Sequence, residues 1–301
     1  MLKFIIISDT HLVPDNENCN GLDSFERLNL AIESINNDHP DAEFCIHAGD
    51  ITDRGDIESY ERFKKIIPKL KIPIYLTIGN HDNRNNFKKV FNEKYSDENG
   101  FIQKTIDIKD QRIIILDTFD KNLLGEGKLC EIRLKWLKNH IQQNNELPTT
   151  IIMHHHVAKI KSPYIDLIAL ENPDEFFNIV KTHSNIRHII SGHVHISSTT
   201  FQNNIPHTTI GGSHFTHSVK NFFTEFNYSL SELKKMKENN QINNNMIKEM
   251  SDTYDNIVIL EGPSQYGVVL SDNFSTTIHF HNYIEKYKRL PQSETKLEYY
   301  S

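Results

Sequence analysis

Seven residues of this sequence could together bind metal ions, and each follows closely on a short apolar run. They carry carboxylate, imidazole and amide groups: Asp9, His11, Asp50, Asn80, His154, His193 and His195. No thiolate belongs to the set, and seven such ligands are more than one tetrahedral zinc ion needs. They suit two divalent or trivalent first-row ions that share one carboxylate, for which Asp50 is the first candidate.

A pair of ions sharing one carboxylate would define the chemistry of such a site. Two ions about 3.5–4 Å apart lower the pKa of a trapped water toward about 7 and hold both the attacking and the leaving oxygen of an in-line displacement at phosphorus. Transition-metal ions of the Mn, Fe, Zn or Co group, divalent or in a mixed-valence pair, match these donors. The set therefore predicts hydrolysis of a phosphate ester by a metal-bridging hydroxide.

The elements that must position these residues are short strands alternating with amphipathic helices. Apolar runs predict strands at 2–8, 44–48, 74–78, 113–116, 149–153 and 188–190, with further strand-like pieces at 208–210, 257–260, 267–270 and 276–280. Helical periodicity predicts a helix that begins near Asp23 or Ser24, and others at about 58–69, 131–142 and 174–182. Such alternation is typical of an α/β fold, where ligands bind beyond the carboxyl ends of the strands.

In this order the motifs resemble those of the calcineurin-like metallophosphoesterases. The family pattern D-x-H, G-D, G-N-H, H and G-H-x-H appears here with Asp9, Asp50, Asn80, His154 and His193 as first ligands, over about residues 1–200. The SDTH start, the MHHH run and the GHVH ending are most similar to the class III cyclic nucleotide phosphodiesterases and the related glycerophosphodiesterases. The resemblance implies a four-layer α-β-β-α sandwich with two mixed sheets, in which the C-terminal strands supply part of the second sheet.

The resemblance also implies how the ligands divide between two ions. One ion would be held by Asp9, His11, Asp50 and His195, and the other by Asp50, Asn80, His154 and His193. His155 is the alternative to His154, because Val157 and Ala158 replace the prolines that often follow this position in the family.

Three further residues are candidates for catalysis or substrate binding. His81 directly follows the ligand Asn80 and is predicted to act as the acid or to orient phosphate, with a solvated turn residue as the alternative; Asn80 itself is predicted to contact substrate as well. Asp53 and Arg54 match the phosphoprotein-phosphatase form of the motif, in which the aspartate orients the histidine and the arginine holds phosphate. A surface salt bridge is the alternative for Arg54.

The expected function is that of a dinuclear metal-dependent phosphodiesterase that hydrolyses a small phosphodiester, with a 3′,5′-cyclic nucleotide as the first candidate. A glycerophosphodiesterase or a phosphomonoesterase or protein phosphatase of the same superfamily is the alternative. An inactive scaffold is a remote alternative, because the ligand set is complete and His81 is present.

Composition narrows the partners and the compartment. The formal net charge of -7 provides no basic excess for a nucleic-acid polymer, and the apolar runs are too short for a membrane span or a signal peptide. Three scattered cysteines give neither a disulfide framework nor a thiolate site. We therefore expect a cytoplasmic protein with a small-molecule substrate, and a homodimer is the candidate assembly.

The chain reads as one metallophosphoesterase domain over residues 1–290, followed by a polar tail at 291–301. The motifs occupy residues 1–200, and residues 201–290 hold the C-terminal strands and a possible cap or oligomerisation segment at 217–250, with an exposed amphipathic helix at 229–250. Residues 163–173 either border the substrate pocket or only lead into the next helix. The additional histidines are expected at the pocket rim or the surface: His207, His214 and His217.

Overall fold

Two mixed β-sheets form the centre of the fold. In this computed structural model the described residues are 1–219, 235–236, 239 and 257–285. Their strands are β1 (Leu2–Ile7), β2 (Cys45–Ala48), β3 (Ile74–Thr77), β4 (Lys104–Ile108), β5 (Gln111–Leu116), β6 (Thr149–Met153), β7 (Ile186–Ser191), β8 (Ser198–Gln202), β9 (Ile205–Thr209), β10 (Thr216–Val219), β11 (Ile257–Leu260), β12 (Ser264–Ser271) and β13 (Thr276–Ile284). The first sheet has the order β13-β12-β1-β2-β3 and the second the order β4-β5-β6-β7-β9-β8.

Parallel pairing in the middle of each sheet brings the carboxyl ends of the ligand-bearing strands to a common edge. Strands β1, β2 and β3 are parallel in the first sheet, and β5, β6, β7 and β9 are parallel in the second. Antiparallel strands complete both sheets, since β12 pairs with β1 and β4 pairs with β5. A separate two-stranded ladder joins β10 to β11.

Helices cover the outer face of each sheet. The helices are α1 (Ser24–Asp38), α2 (Ile57–Ile66), α3 (Arg84–Phe91), α4 (Glu131–Gln142), α5 (Pro163–Leu167) and α6 (Pro173–Val180), with 3₁₀ turns at Ile67–Lys69 and Asn92–Tyr95. Asp23 caps α1 by accepting hydrogen bonds from the N–H groups of Phe25 and Glu26. Helices α1 to α3 pack on the first sheet and α4 and α6 on the second.

Side-chain alternation along β1 shows why the fold has four layers. Ile5 and Ile7 pack among the helix residues of the first sheet, whereas Phe4 and Ile6 pack against residues of the second sheet such as Ile113. All of these side chains are buried, because a strand between a helix layer and another sheet has no solvent-facing side. The predicted four-layer α-β-β-α sandwich with two mixed sheets is confirmed.

The strands after residue 200 divide between the two sheets. The resemblance implied that they supply part of the second sheet, and this holds for β9, which pairs with β7. The prediction is wrong for β12 and β13, because β12 pairs with β1 and β13 pairs with β12, both in the first sheet. Two strands and one helix of the motif-bearing region were not predicted from sequence: β4, β8 and α3.

Several predictions concern residues that are not described. The helix expected at 229–250 lies outside the described residues except for 235–236 and 239, and the tail at 291–301 lies wholly outside them. The cap or oligomerisation role of residues 217–250 and the single domain over 1–290 therefore stay predictions. Among the described residues, no helix combines the length and the apolar character needed to span a membrane.

Candidate metal centre

Most of the candidate ligands sit at strained backbone positions just beyond a strand end. Asp9, His11, Asp50, His193 and His195 have φ values of 59°, 44°, 52°, 72° and 53°. This left-handed region costs a residue other than glycine about 1–3 kcal/mol and persists only where surrounding contacts enforce it. The chain thus turns sharply as it leaves β1, β2 and β7, and the turns direct the polar side chains toward one another.

One group of ligand atoms comes from the end of β1 and the end of β7. Ligand atoms of Asp9, His11 and His195 lie within 4.8 Å of one another, and all three residues are buried. His195 Nε2 lies 3.4 Å from Asp9 Oδ1 and 3.1 Å from His11 Nε2. The structure therefore brings together three of the four ligands that the resemblance implies for the first ion, and the fourth is Asp50.

Hydrogen bonds on the far side of each imidazole decide which nitrogen faces this group. His11 Nδ1 lies 3.2 Å from Asp53 Oδ1, and His195 Nδ1 lies 2.9 Å from the carbonyl oxygen of Phe215. When Nδ1–H donates to these acceptors, both Nε2 atoms are bare lone pairs that face each other. Two lone pairs in contact repel unless a proton or a metal ion lies between them, and a metal ion bound by both nitrogens would take the place of such a proton.

The second group comes from the ends of β2, β3, β6 and β7. His154 Nε2 lies 3.2 Å from Asn80 Oδ1 and 3.3 Å from Asp50 Oδ2, while its Nδ1–H donates to the carbonyl oxygen of Ala48 at 2.8 Å. His193 turns the other way, since its Nε2–H donates to the carbonyl oxygen of Ile168 at 2.9 Å. In this group too the protein orients the histidines through their outer nitrogens, as is usual at metal sites.

Asp50 lies between the two groups. Its Oδ2 atom is 3.3 Å from His154 Nε2 and 3.8 Å from His11 Nε2, and its Oδ1 accepts the main-chain N–H of His81 at 2.9 Å. Burial alone would raise the pKa of this carboxyl, but the neighbouring His154 and His81 hold the pKa well below its usual value. A buried carboxylate that contacts one member of each group is placed as a bridging ligand would be.

The donor set as a whole fits two cations. Asp9 and Asp50 are buried carboxylates, and burial lowers the pKa of His193 and His195, which favours their neutral, metal-binding form. Burial alone would lower the pKa of His154 as well, but Asp50 raises it to about 9. A metal ion would therefore displace a proton from His154. Buried charges need partners, and ions in the two groups would supply them.

His81 lies at the mouth of the centre. Its side chain is 36% exposed, and its Nδ1–H donates to the main-chain carbonyl of Asp53 at 2.8 Å, which leaves Nε2 available. The Asp53 carboxylate instead pairs with His11, because its Oδ1 is 3.2 Å from His11 Nδ1 and 3.8 Å from His81 Nδ1. Asp53 therefore contacts both histidines, His81 through its backbone and His11 through its side chain.

Arg54 forms an ion pair at the surface. Its guanidinium contacts the carboxylate of Glu17, lies 3.8 Å from Asp53 Oδ2, and is 56% exposed. This is the alternative that the sequence left open for Arg54, and its phosphate-binding role stays a prediction.

Sequence reasoning missed two buried residues that hold the ligand loops in place. Asp82 accepts the main-chain N–H groups of Ile51, Thr52 and Gly79, and so ties the turn after β2 to the turn after β3. The other is His47, which takes part in two hydrogen bonds. The N–H of Gly49 donates to His47 Nδ1, and His47 Nε2–H donates to Thr10 Oγ1. Burial lowers the pKa of His47 to about 3, so it is neutral. Asp82 could have been recognised in the sequence, because it directly follows the candidate residues Asn80 and His81.

A loop between β9 and β10 supports the first group from beyond the motif region. The main-chain N–H groups of Ser213 and His214 donate to the carbonyl oxygens of Ser8 and Asp9, at 2.9 and 3.2 Å. The Phe215 ring stacks on His195 with a centroid distance of 4.0 Å. His207 and His214 are buried, so a surface position is wrong for them, and a position at the rim of a substrate pocket stays a prediction. His217 is half-buried.

Residues 163–173 contain both a helix and a contact with the second group. Residues 163–167 form α5, and the next residue, Ile168, supplies the carbonyl oxygen that orients His193. The segment therefore reaches the candidate centre through its backbone, and whether it borders a substrate stays a prediction.

Comparisons with known proteins agree with this fold and site. Residues 2–197 match the calcineurin-like phosphoesterase family, so the chain belongs to this family of metal-dependent phosphoric ester hydrolases. A probable cyclic nucleotide phosphodiesterase from Rhodopseudomonas palustris is 33% identical over 196 residues, which cover 64% of this chain and 72% of the relative. A probable glycerophosphodiester phosphodiesterase from Arcobacter nitrofigilis is 33% identical over 202 residues, which cover 66% and 74% of the two chains.

Among solved structures, a dimetal phosphatase from Danio rerio has the same fold. It superposes with a TM-score of 0.58 at 13% sequence identity, over 92% of this chain and 98% of that one. The predicted family resemblance and fold class are thus confirmed.

Proposed function

We propose that this protein is a dinuclear metal-dependent phosphodiesterase that hydrolyses a small phosphodiester, with a 3′,5′-cyclic nucleotide as its substrate. One observation carries the proposal. Asp50 Oδ2 lies within 3.8 Å of both His11 Nε2 and His154 Nε2, between two buried groups of metal-binding side chains. Such an arrangement suits two ions that share a carboxylate and act on one phosphate group.

Each candidate residue would have its own role in binding metal or substrate. Asp9, His11 and His195 would hold the first ion and Asn80, His154 and His193 the second, with Asp50 shared. Ions of the Mn, Fe, Zn or Co group bound there would supply an activated water and neutralise charge on the phosphate. Asn80, at the edge of the second group, can also contact a phosphate oxygen.

His81 would complete the reaction by donating a proton. Its Nδ1–H is held by the carbonyl of Asp53, so the protonated ring would present Nε2–H to the leaving oxygen. Partial exposure of this side chain allows contact with a bound substrate. Asp53 keeps His81 oriented and also fixes His11.

Two observations bear on the substrate class. The two phosphodiesterase relatives are named for cyclic nucleotides and for glycerophosphodiesters, and each is 33% identical to this chain. A glycerophosphodiester is therefore the second candidate. The phosphatase alternative has less support. It would need Arg54 to bind phosphate, but the ion pairs of Arg54 in the described part of the chain are with Glu17 and Asp53 and not with a candidate metal ligand.

A substrate panel tests the proposal. The metal-loaded protein is assayed with cyclic AMP, cyclic GMP, glycerophosphodiesters and a phosphomonoester, with Asp50→Ala prepared in parallel to reveal contaminating activity. We expect the highest kcat/KM for a cyclic nucleotide and no turnover by the variant. A preference for glycerophosphodiesters would favour the second candidate, and a preference for the monoester would refute the phosphodiesterase assignment.

The proposal includes a cytoplasmic protein. No disulfide links the three cysteines, Cys19, Cys45 and Cys130, which suits a reducing compartment. A homodimer is compatible with this proposal, and size-exclusion chromatography with light scattering would test it.

A further inference from the structure

The buried histidines of this protein can be sorted by the partners of their two ring nitrogens. A neutral imidazole has one N–H donor and one bare acceptor nitrogen, and a structural histidine satisfies both within the protein. His207 does so, since its Nδ1 accepts from Ala158 N–H and its Nε2 contacts Ser191 Oγ. His47 does so as well, through Gly49 and Thr10. Neither histidine has a nitrogen left for a ligand.

His155 differs from these structural histidines. Its Nδ1 lies 2.7 Å from Thr118 Oγ1, but its Nε2 is buried and has no hydrogen-bond partner in the described part of the chain. The predicted ligands His11, His154 and His195 likewise have Nδ1 bound to an outer partner, and their Nε2 atoms lie against other candidate ligand atoms. His155 is thus held as a metal ligand would be.

The position of His155 agrees with its hydrogen bonding. One ring nitrogen of each of His154, His155 and His193 can be chosen so that all three lie within 4.8 Å of one another. The His155 ring centroid is 4.9 Å from that of His154 and 4.7 Å from that of His193. Gly127 leaves room for this ring, because a Cβ atom there would collide with it.

We propose that His155 is an additional ligand of the second metal position, bound through Nε2, alongside Asp50, Asn80, His154 and His193. The inference rests on the proposed function, because it presupposes the two-metal centre. Nδ1–H then donates to Thr118 Oγ1, and the lone pair of Nε2 binds the ion. In the other tautomer Nε2–H would be a buried donor without an acceptor, which costs about 1–3 kcal/mol.

This assignment makes the two metal positions chemically unequal. The second position has three imidazoles, from His154, His155 and His193, whereas the first has two imidazoles and two carboxylates. Imidazole ligands favour zinc and later first-row ions, and carboxylates suit manganese and magnesium. The second position should therefore select zinc over manganese more strongly than the first.

The test compares metal binding by variants of neighbouring histidines. His155→Asn keeps a side-chain N–H near the position of Nδ1, where it can still reach Thr118, but has no atom at the position of Nε2. His155→Gln places an amide oxygen near that position. His156→Asn is the matched control. His156 is in the same run, is equally buried and also has ring nitrogens without hydrogen-bond partners in the described part of the chain, but it belongs to no group of ligand atoms identified among the described residues.

Affinities are measured by chelator competition, with zinc and with manganese, and the ligands of the zinc-loaded protein are counted by X-ray absorption. For His155→Asn we expect zinc affinity at one of the two positions to fall by more than the roughly 10–100-fold that loss of an outer-sphere partner costs. The loss should be smaller for manganese, and the absorption spectrum should show one imidazole fewer. His155→Gln should recover part of the affinity, and His156→Asn should match the wild type.

The outcomes separate this inference from the function on which it rests. If the wild type fails to bind two ions, the proposed function itself is refuted. If the wild type binds two ions and His155→Asn binds them equally well with the same imidazole count, only the role of His155 is refuted. Should His155→Asn not fold, Thr118→Val provides a second test, because loss of the Nδ1 partner should weaken zinc at one position about 10–100-fold. Unchanged zinc affinity in that variant would also overturn the assignment.

Discussion

Replacing Asp82 by asparagine should destabilise the protein strongly although the two side chains have nearly the same shape. Asp82 Oδ2 accepts the main-chain N–H groups of Ile51 and Gly79, at 3.1 and 2.9 Å. Its Oδ1 accepts the main-chain N–H and the hydroxyl of Thr52, both at 3.1 Å, and the hydroxyl of Tyr60 at 2.9 Å. Burial and the charge of Asp50 raise the pKa of this carboxyl, but the three main-chain N–H groups oppose that rise. Five hydrogen bonds donated to this carboxylate favour its ionised form.

The magnitude follows from the two ways in which the asparagine amide can be placed. With its oxygen at the Oδ1 position, the amide N–H₂ faces the N–H groups of Ile51 and Gly79. With its oxygen at the Oδ2 position, the hydroxyls of Thr52 and Tyr60 can rotate to accept, but the N–H of Thr52 stays unpaired. At least one buried donor is therefore orphaned, at about 1–3 kcal/mol. With the loss of charge from the remaining hydrogen bonds, we expect a total of about 2–5 kcal/mol.

The assay is chemical denaturation of the metal-free protein in the presence of a chelator, because bound ions would add their own stabilisation. The matched control is Asp41→Asn, which makes the same chemical change at a largely exposed carboxylate paired with Lys3, where solvent screens the ion pair and its loss should change stability little. If Asp82→Asn lowers the free energy of unfolding no more than Asp41→Asn does, the reasoning about these five hydrogen bonds is wrong.

Three further predictions follow from the same structure. Asp50→Ala should leave the two metal groups without a shared anion. Elemental analysis should then find fewer than two ions per chain, and turnover should collapse. Retention of both ions would refute the bridging role of Asp50. His81→Ala should lower turnover by about 10²–10⁴-fold while both metals stay bound. The loss should be larger for a substrate with a sugar alkoxide leaving group than for one with a nitrophenolate leaving group. Equal losses would indicate that His81 binds phosphate. Burial lowers the pKa of His207 to about 3 from its usual 6.5, so this histidine stays neutral in the folded protein. Its contribution to the free energy of unfolding is therefore complete above about pH 6.5 and is lost progressively as the pH falls below that value. Between pH 7 and pH 5 the metal-free wild type should lose about 2 kcal/mol more stability than His207→Gln, and equal losses in denaturation experiments would contradict the neutral, buried assignment.

The candidate ligands could be recognised in the sequence because each lies within a few residues of a strand end. An apolar run such as Phe4 to Ile7 indicates a buried strand by composition alone, and the residue type that follows it is directly visible. The helices at 131–142 and from Ser24 were also readable, because their buried side chains recur at helical spacing. Local patterns thus determined the family, the candidate ligands and most of the elements.

Some elements were missed although local signals for them existed. Strands β8 and β9 are joined at Asn203 and Asn204, which have φ values of 53° and 62°, and asparagine is one of the residues that adopt this conformation in tight hairpins. Strand β4 joins β5 through Lys109 and Asp110 in a similar left-handed turn, with φ values of 47° and 56°. Lysine gives no such signal, so this hairpin was difficult to predict.

Only the tertiary structure decided which sheet each strand joins and how the ligands are held. Pairing of β12 with β1 depends on contacts between residues more than 250 positions apart, which no local pattern encodes. The acceptors that orient His154, His193 and His195 are the carbonyl oxygens of Ala48, Ile168 and Phe215. Every residue has such a carbonyl, so the sequence cannot mark these three. The sequence therefore determined which side chains could bind metal, and long-range backbone packing decided which nitrogen of these three histidines faces the centre.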